Sequence, residues 1–153
     1  MDNNNIFLAV KAAIVGIFGA FGAAFGWLGW LVLAWIGCMV VDYISGSSAA
    51  MKAGQWSSAQ ARAGIWHKAG MIVVVIVAAV ADNVLALVVA SIPSISIDYT
   101  VLLLPMVLVW YILTELGSIL ENAAAMGAPV PEFLIRILAT AKEKVEVATE
   151  DTE

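Results

Sequence analysis

The chain has very few of the side chains from which catalytic and metal-binding sites are built. Its 153 residues include one histidine and one cysteine, Cys38, which has no second cysteine with which to form a disulfide. There is no Cys-x-x-Cys pair, no His-Glu-x-x-His helix and no phosphate-binding loop, so the sites that those motifs build are not expected. The sequence therefore predicts no catalytic residues, no cofactor and no metal.

Charged residues are also scarce. They make up 12% of the chain, whereas a soluble domain has about 25%. Hydrophobic residues make up 63%, and the mean hydropathy is +0.98. So little polar surface cannot cover a water-soluble fold, which indicates an integral membrane protein. The net charge of −5 comes mostly from the last dozen residues, so it describes a tail and gives no sign of a nucleic-acid partner.

The first apolar region, residues 6–44, is too long to be one straight span. Asp, Glu, Lys and Arg are absent from residues 12–41. As a single helix the region would be about 58 Å long, whereas the hydrocarbon core of a bilayer is about 30 Å thick. Its glycine- and tryptophan-rich middle offers a place to bend. We therefore divide it into a helix over 6–25 and a second helix over 27–44.

The helix predicted over 6–25 has a bulky face and a small face at helical spacing. The small face consists of Ala9, Ala13, Gly16, Ala20 and Ala23. Small side chains let helices approach closely in a bilayer, so we expect this face to be an oligomer interface. The alternative is packing against helices of the same chain. The helix either spans the bilayer or lies in its plane. The span is favoured because in-plane helices carry a strongly charged face, and here Lys11 is the only charge.

A polar segment, residues 42–68, separates this region from the next apolar stretch. It carries Lys52, Arg62 and Lys68, three of the seven basic residues of the chain. Short loops rich in Lys and Arg stay in the cytoplasm. This segment is therefore predicted to be cytoplasmic, which puts residues 92–98 outside and the C-terminus inside.

Two further spans are predicted, over about 69–91 and about 100–121. A Gly/Pro-rich break at 127–131 then precedes a helix over 132–147 whose apolar residues fall on one face, which predicts an amphipathic cytoplasmic helix. The fold class is thus all-α, a membrane bundle of three or four spans. It divides into an N-terminal embedded helix (1–26), a transmembrane core (27–122) and a cytoplasmic helix with an acidic tail (123–153).

Two carboxylates, Asp82 and Glu115, lie within the predicted spans. Ionisable residues inside a membrane often mark ion or proton pathways. A relay usually needs several such groups facing one cavity, so the simpler interpretation is that each lies near an interface or pairs with Lys or Arg between helices. Asp42, at the end of a span, could likewise pair with Lys68 or Lys52.

Three short motifs carry a family resemblance. Asp42-Tyr-Ile-Ser-Gly46, at the end of a span, resembles the Asp-x-x-Thr/Ser-Gly motif of a phage holin family that includes the clostridial toxin-secretion holins. Glu115-Leu-Gly-Ser-Ile-Leu-Glu-Asn122 is similar to that family's Glu-x-x-Ser-Ile-Leu-Glu-Asn. The motifs follow each other in the family's order.

A third motif, Gly127-Ala-Pro-Val-Pro131, resembles the family's Gly-x-Pro-x-Pro before an amphipathic helix. The resemblance covers about residues 27–145, and the long apolar stretch 84–97 departs from it. The positions that match the family are Asp42, Gly46, Asp82, Glu115, Ser118, Glu121, Asn122, Pro129 and Pro131.

The resemblance implies a multi-pass protein of the bacterial cytoplasmic membrane that performs no catalysis. Holins oligomerise into lesions that let an endolysin, or in some bacteria a toxin, leave the cytoplasm. The implied partners are the lipid bilayer, further copies of the chain, an endolysin or toxin that need not be contacted, and an antiholin. Two alternatives stay open: a small transporter or channel subunit with Asp82 and Glu115 on its pathway, and a membrane scaffold whose C-terminal helix recruits a partner.

Overall fold

The computed structural model describes residues 3–92 and 101–150. This part of the chain is all-helical, as the sequence predicted, with helices α1 (Asn3–Lys52), α2 (Ser58–Ser91), α3 (Leu103–Ala125) and α4 (Glu132–Glu150). Four segments are long and apolar enough to cross a membrane: Asn5–Ala23, Gly26–Lys52, Ser58–Ser91 and Leu103–Ala125. Apart from Ile92, the connection predicted to lie outside falls beyond the described residues, as does the end of the acidic tail.

Helix α1 is bent at Gly26, where φ is 58° and ψ is −146°. Residues with a Cβ rarely adopt this backbone conformation, and glycine adopts it without steric cost. The predicted division of the first apolar region is therefore found at this residue. The two parts of the helix are called α1a (Asn5–Ala23) and α1b (Gly26–Lys52) below.

The predicted C-terminal end of α1b was wrong. We expected a helix end at residue 44 followed by a serine-rich turn, but the helix continues to Lys52. The Ser45 hydroxyl donates to the Asp42 carbonyl at 3.1 Å, and the Ser48 hydroxyl donates to the Ile44 carbonyl at 2.8 Å. Serines that bond back to the preceding turn are accommodated inside a helix, so they do not terminate this one.

Helix α2 begins earlier in the chain than the sequence predicted. The predicted start was near Lys68, whereas the helix begins at Ser58 and has Ser57 as its N-cap. The Ser57 hydroxyl accepts the Gln60 backbone N–H at 3.1 Å, which satisfies one of the donors left free at a helix start. The polar segment is thus mostly helical, and residues 53–57 alone connect the two helices.

Helix α3 is the centre of the bundle. It packs against both α1 and α2, whereas α1 and α2 hardly touch each other. The core where the three helices meet consists of Trp35, Met39, Met71 and Leu108. Trp35 stacks on Tyr111 of α3 with ring centroids 6.1 Å apart. Because α1b and α2 each pack against α3 and hardly against each other, a groove stays open between them.

Helix α4 folds back along α3. The Trp110 indole N–H donates to Glu146 Oε1 at 3.1 Å, and the Lys142 ammonium lies 4.5 Å from the centroid of the Trp110 ring. The structure therefore has a helix where the sequence predicted one. Its amphipathic, cytoplasmic character stays a prediction.

Candidate functional site

Each of the three packed helices contributes one charged residue to a polar layer inside the bundle. Lys68 of α2 donates to both carboxylate oxygens of Glu115 on α3, at 2.7 and 2.6 Å. Its ammonium also lies 3.0 Å from Asp42 Oδ2 on α1b. The side chains of Asp42, Lys68 and Glu115 are 20%, 16% and 5% exposed, so the layer is largely withdrawn from the surface.

The three residues meet because they lie at the same level. Asp42 and Glu115 each lie ten positions before the C-terminal end of their helix, and Lys68 lies ten positions after the start of α2. At a rise of 1.5 Å per residue, all three are about 15 Å from the same end of the bundle. We call this the basic end, because Lys52 and Arg62 lie there. Glu115 is thereby close to the middle of α3, well inside a span.

An amide from α3 extends the layer toward the basic end. Asn122, two helical turns after Glu115, donates to Asp42 Oδ1 at 3.0 Å and to the Ser45 hydroxyl at 3.1 Å. A Cβ added to Gly46 would lie 3.4 Å from Asn122 Nδ2, which is van der Waals contact, so Gly46 lies directly beside the amide. The two resemblance motifs therefore pack against each other through these residues.

The layer holds two carboxylates and one ammonium, a formal charge of −1. Lys68 neutralises one of them, and Asp42 obtains a further hydrogen bond from Asn122. Removing one partner of a buried ion pair costs about 3–5 kcal/mol, because the other charge is left buried and unpaired. The arrangement therefore holds three helices together at a depth where lipid could not solvate the charges.

Asp82 is at a different place and has a different role. Its carboxylate accepts the backbone N–H groups of Leu102, Leu103 and Leu104 at 3.1, 2.9 and 2.7 Å, and the residue is 2% exposed. The first N–H groups of a helix have no acceptor within the helix and carry a partial positive charge. Asp82 of α2 thus caps the start of α3 and attaches the two helices to each other.

Four further matched positions, on α3 and in the connection that follows it, do not join the polar layer. The Ser118 hydroxyl donates to the Thr114 carbonyl at 3.3 Å, and Glu121 is exposed. Both line a hollow between α3 and α4. Pro129 and Pro131 are exposed in the connection before α4.

The basic residues used for topology separate into different environments. Lys52 donates to the Met126 carbonyl, just after α3, and so joins the ends of α1 and α3. Arg62 is exposed on α2. Lys68 belongs to the polar layer, whereas the sequence predicted for it mainly a role in membrane topology. The available signal was its position at the start of an apolar span, where an ammonium needs a carboxylate partner.

The residues predicted to form an oligomer interface, Ala9, Ala13, Gly16, Ala20 and Ala23, are all exposed. They do not pack against the other helices of the bundle. The interface itself stays a prediction.

The layer has no vacant place for a cofactor or a metal ion, because Lys68 occupies the space between the two carboxylates. Over residues 3–92 and 101–150, no three His, Cys, Asp or Glu side chains come close enough to hold a metal. The chemistry that the site supports is the pairing and separation of charges between helices.

Comparison with known proteins agrees with the motifs. A model of the bacteriophage holin family matches residues 19–143, which include the polar layer, Asp82 and most of α4. An uncharacterized protein of Halalkalibacterium halodurans is 35% identical over 104 residues, which cover 68% of this chain and 72% of that protein. No solved structure matches the chain. The extent of the family match shows that this chain belongs to the bacteriophage holin family.

Proposed function

We propose that the protein oligomerises in the bacterial cytoplasmic membrane and forms lesions that release an endolysin and so lyse the host cell. In bacteria that secrete toxins by this route, a toxin would be released instead. The observation that carries the proposal is the polar layer of Asp42, Lys68 and Glu115, which joins three apolar helices near the middle of a span. Family membership supports a role that involves no catalysis.

The layer gives a physical reason for a delayed, abrupt opening. In hydrocarbon, separating Lys68 from its two carboxylates would leave unpaired charges where ions are poorly solvated. In water the same charges attract each other by only about 1 kcal/mol at 4 Å. In a single copy surrounded by lipid, the ion pairs of the polar layer therefore hold the three helices together. When an assembly of copies admits water, these ion pairs weaken in all of the copies at the same time.

The proposed orientation puts the basic end in the cytoplasm, together with the C-terminus. Lys52, Arg62 and Lys68 support it, because Lys and Arg in short loops favour the cytoplasmic side. Endolysin and antiholin are functional partners in this proposal: the first needs only the lesion, and the second would bind the chain before lesions form.

A transporter or channel subunit is the competing proposal, and the geometry argues against it. Asp82 and Lys68 are fourteen positions apart on α2, which corresponds to about 21 Å. The Asp82 carboxylate accepts backbone N–H groups at the start of α3, and the Glu115 carboxylate is paired with Lys68. The two carboxylates therefore do not face one cavity, as a relay would require.

The test is induced expression in a bacterium with and without a cytoplasmic endolysin. We expect the membrane potential to collapse abruptly after a delay in both cultures, and the optical density to fall steeply in the culture that has endolysin. Continued growth at high, membrane-inserted expression would refute the proposal. A solute-dependent current of fixed size would favour a channel or transporter instead.

A further inference from the structure

The groove between α1b and α2 has a charged end and an apolar trough. At the charged end is an open hollow of about 230 Å³, lined by residues of both helices that include Asp42 and Lys68. A second open hollow of about 340 Å³ adjoins it and shares Lys68 and Tyr43. Apolar side chains that include Ile36, Val40 and Ile72 line this second hollow. The groove is thus shaped for an apolar helix that carries one polar group.

Helix α1a is such a helix, and most of its length packs against no other helix in the structure. Residues 5–20 are exposed throughout. Its one charge, Lys11, lies on the bulky side, in a row with Ile14 and Phe18 at helical spacing. A lone ammonium within a span is energetically unfavourable, and intramembrane ionisable residues usually pair.

Depth and charge both match Lys11 to Asp42. Lys11 is fifteen positions before the bend at Gly26, and Asp42 is sixteen positions after it. When α1a crosses the bilayer antiparallel to α1b, the two residues are therefore about 22 and 24 Å below the level of the bend. The polar layer has a formal charge of −1, and Asp42 is its most exposed member. Lys11 would supply the missing positive charge.

We propose that α1a of a second copy occupies the groove between α1b and α2, with Lys11 of that copy paired to Asp42. This interface rests on the oligomerisation proposed above. A second copy fits better than the chain's own α1a, because Gly22 packs so closely on Trp30 that an added Cβ would be 3.0 Å from its Nε1. Trp30 is about 120° around α1b from Ile36 in the groove, so this contact holds the chain's own α1a to a different side.

Such an interface is heterologous, since each copy donates a helix and accepts one. Two copies can exchange their α1a helices reciprocally, and larger assemblies close into a ring or continue without limit. The predicted small face of α1a points away from Lys11 and stays available for contact between neighbouring α1a helices.

The test is disulfide crosslinking in membranes of cells that express two chains with different tags. Both chains carry Cys38→Ser; one also carries Ile14→Cys and the other Ile72→Cys. These positions are at similar depth in the proposed register, and a mixed dimer is expected. The matched control is Val73→Cys in place of Ile72→Cys, because Val73 is the adjacent exposed residue and does not line the groove.

The charge pair is tested in the same assay. Lys11→Gln should lower the mixed dimer roughly five- to thirtyfold, and Lys11→Arg should retain it. Neither change threatens the fold, because α1a is exposed. Equal crosslinking at positions 72 and 73, or no loss with Lys11→Gln, would overturn the interface.

One more chain, carrying both Ile14→Cys and Ile72→Cys, distinguishes the source of the helix. If it forms only an internal disulfide, the groove holds the chain's own α1a and the proposal is wrong. Lysis is followed in the same cultures. Crosslinking in the groove without lysis would contradict the proposed holin function and support the proposed interface. Lysis without crosslinking in the groove would contradict the proposed interface alone.

Discussion

Replacing Lys68 by methionine should be among the most damaging single changes in the bundle. Lys68→Met keeps the length and apolar stem of the side chain but removes the ammonium that lies 3.0 Å from Asp42 and 2.6 Å from Glu115. Two carboxylates are then left in the layer, and the side chain of Glu115 is 5% exposed. The expected loss is about 3–5 kcal/mol of the free energy of unfolding, the usual cost of leaving a buried charge unpaired.

The measurement is thermal unfolding of the detergent-solubilised protein, followed by circular dichroism. For a chain of this length, 1 kcal/mol shifts the Tm by about 2–4 °C, so we expect a decrease of roughly 6–20 °C. The matched control is the triple variant Asp42→Asn, Lys68→Met, Glu115→Gln, which removes all three charges. Neutral replacement of a buried ion cluster is often harmless, so the triple variant should recover most of the loss.

Two results would contradict this reasoning. A Tm for Lys68→Met within a few degrees of the wild type would mean that the carboxylates are solvated and that the layer holds nothing together. A triple variant as unstable as Lys68→Met would mean that the lysine acts through packing and not through its charge.

Three further predictions concern other parts of the chain. Asp82→Ala should lower the free energy of unfolding by about 1–3 kcal/mol and speed amide exchange at the start of α3, because three N–H groups lose their acceptor; Asp82→Asn should lose less. In a chain without its native cysteine, a cysteine at Ser94 should react with an impermeant thiol reagent in intact cells and one at Ser57 should not; the reverse pattern would invert the topology. Gly16→Leu and Ala20→Leu should each reduce crosslinked oligomers and delay lysis, and oligomers that survive both changes would place the small-face contact elsewhere.

Periodicity and composition were sufficient for the helical architecture. Uncharged stretches give spans because a bilayer excludes charge, and a bend near Gly26 was required because the first apolar region exceeds the thickness of the hydrocarbon core. Helix ends were less predictable. Serine is common in turns, but inside α1b the hydroxyls of Ser45 and Ser48 bond to the preceding turn, and nothing local in the sequence distinguishes the two situations.

The candidate site was only partly predictable for a different reason. Lys68 and Glu115 are 47 positions apart, and Asp42 and Asn122 are 80 apart. Such contacts depend on which helices pack together, and the packing around α3 is not contained in any local pattern. Sequence reasoning offered Lys68 and Lys52 equally as partners of Asp42. The role of Asp82 was not foreseen, because the N–H groups that it accepts belong to another helix.

The position of α4 has a consequence for where water must be. Trp110 is fifteen positions before the end of α3, about 22 Å along the span, and Lys142 and Glu146 of α4 lie against it. Such charges in contact with hydrocarbon cost about 2.5–3.5 kcal/mol each on insertion scales. Lipid therefore cannot surround α3 while α4 remains docked along it. Either water reaches the flank of α3 on which Trp110 lies, or α4 detaches from α3 and lipid takes its place. The distance between Trp110 and α4 therefore distinguishes these two states of the protein.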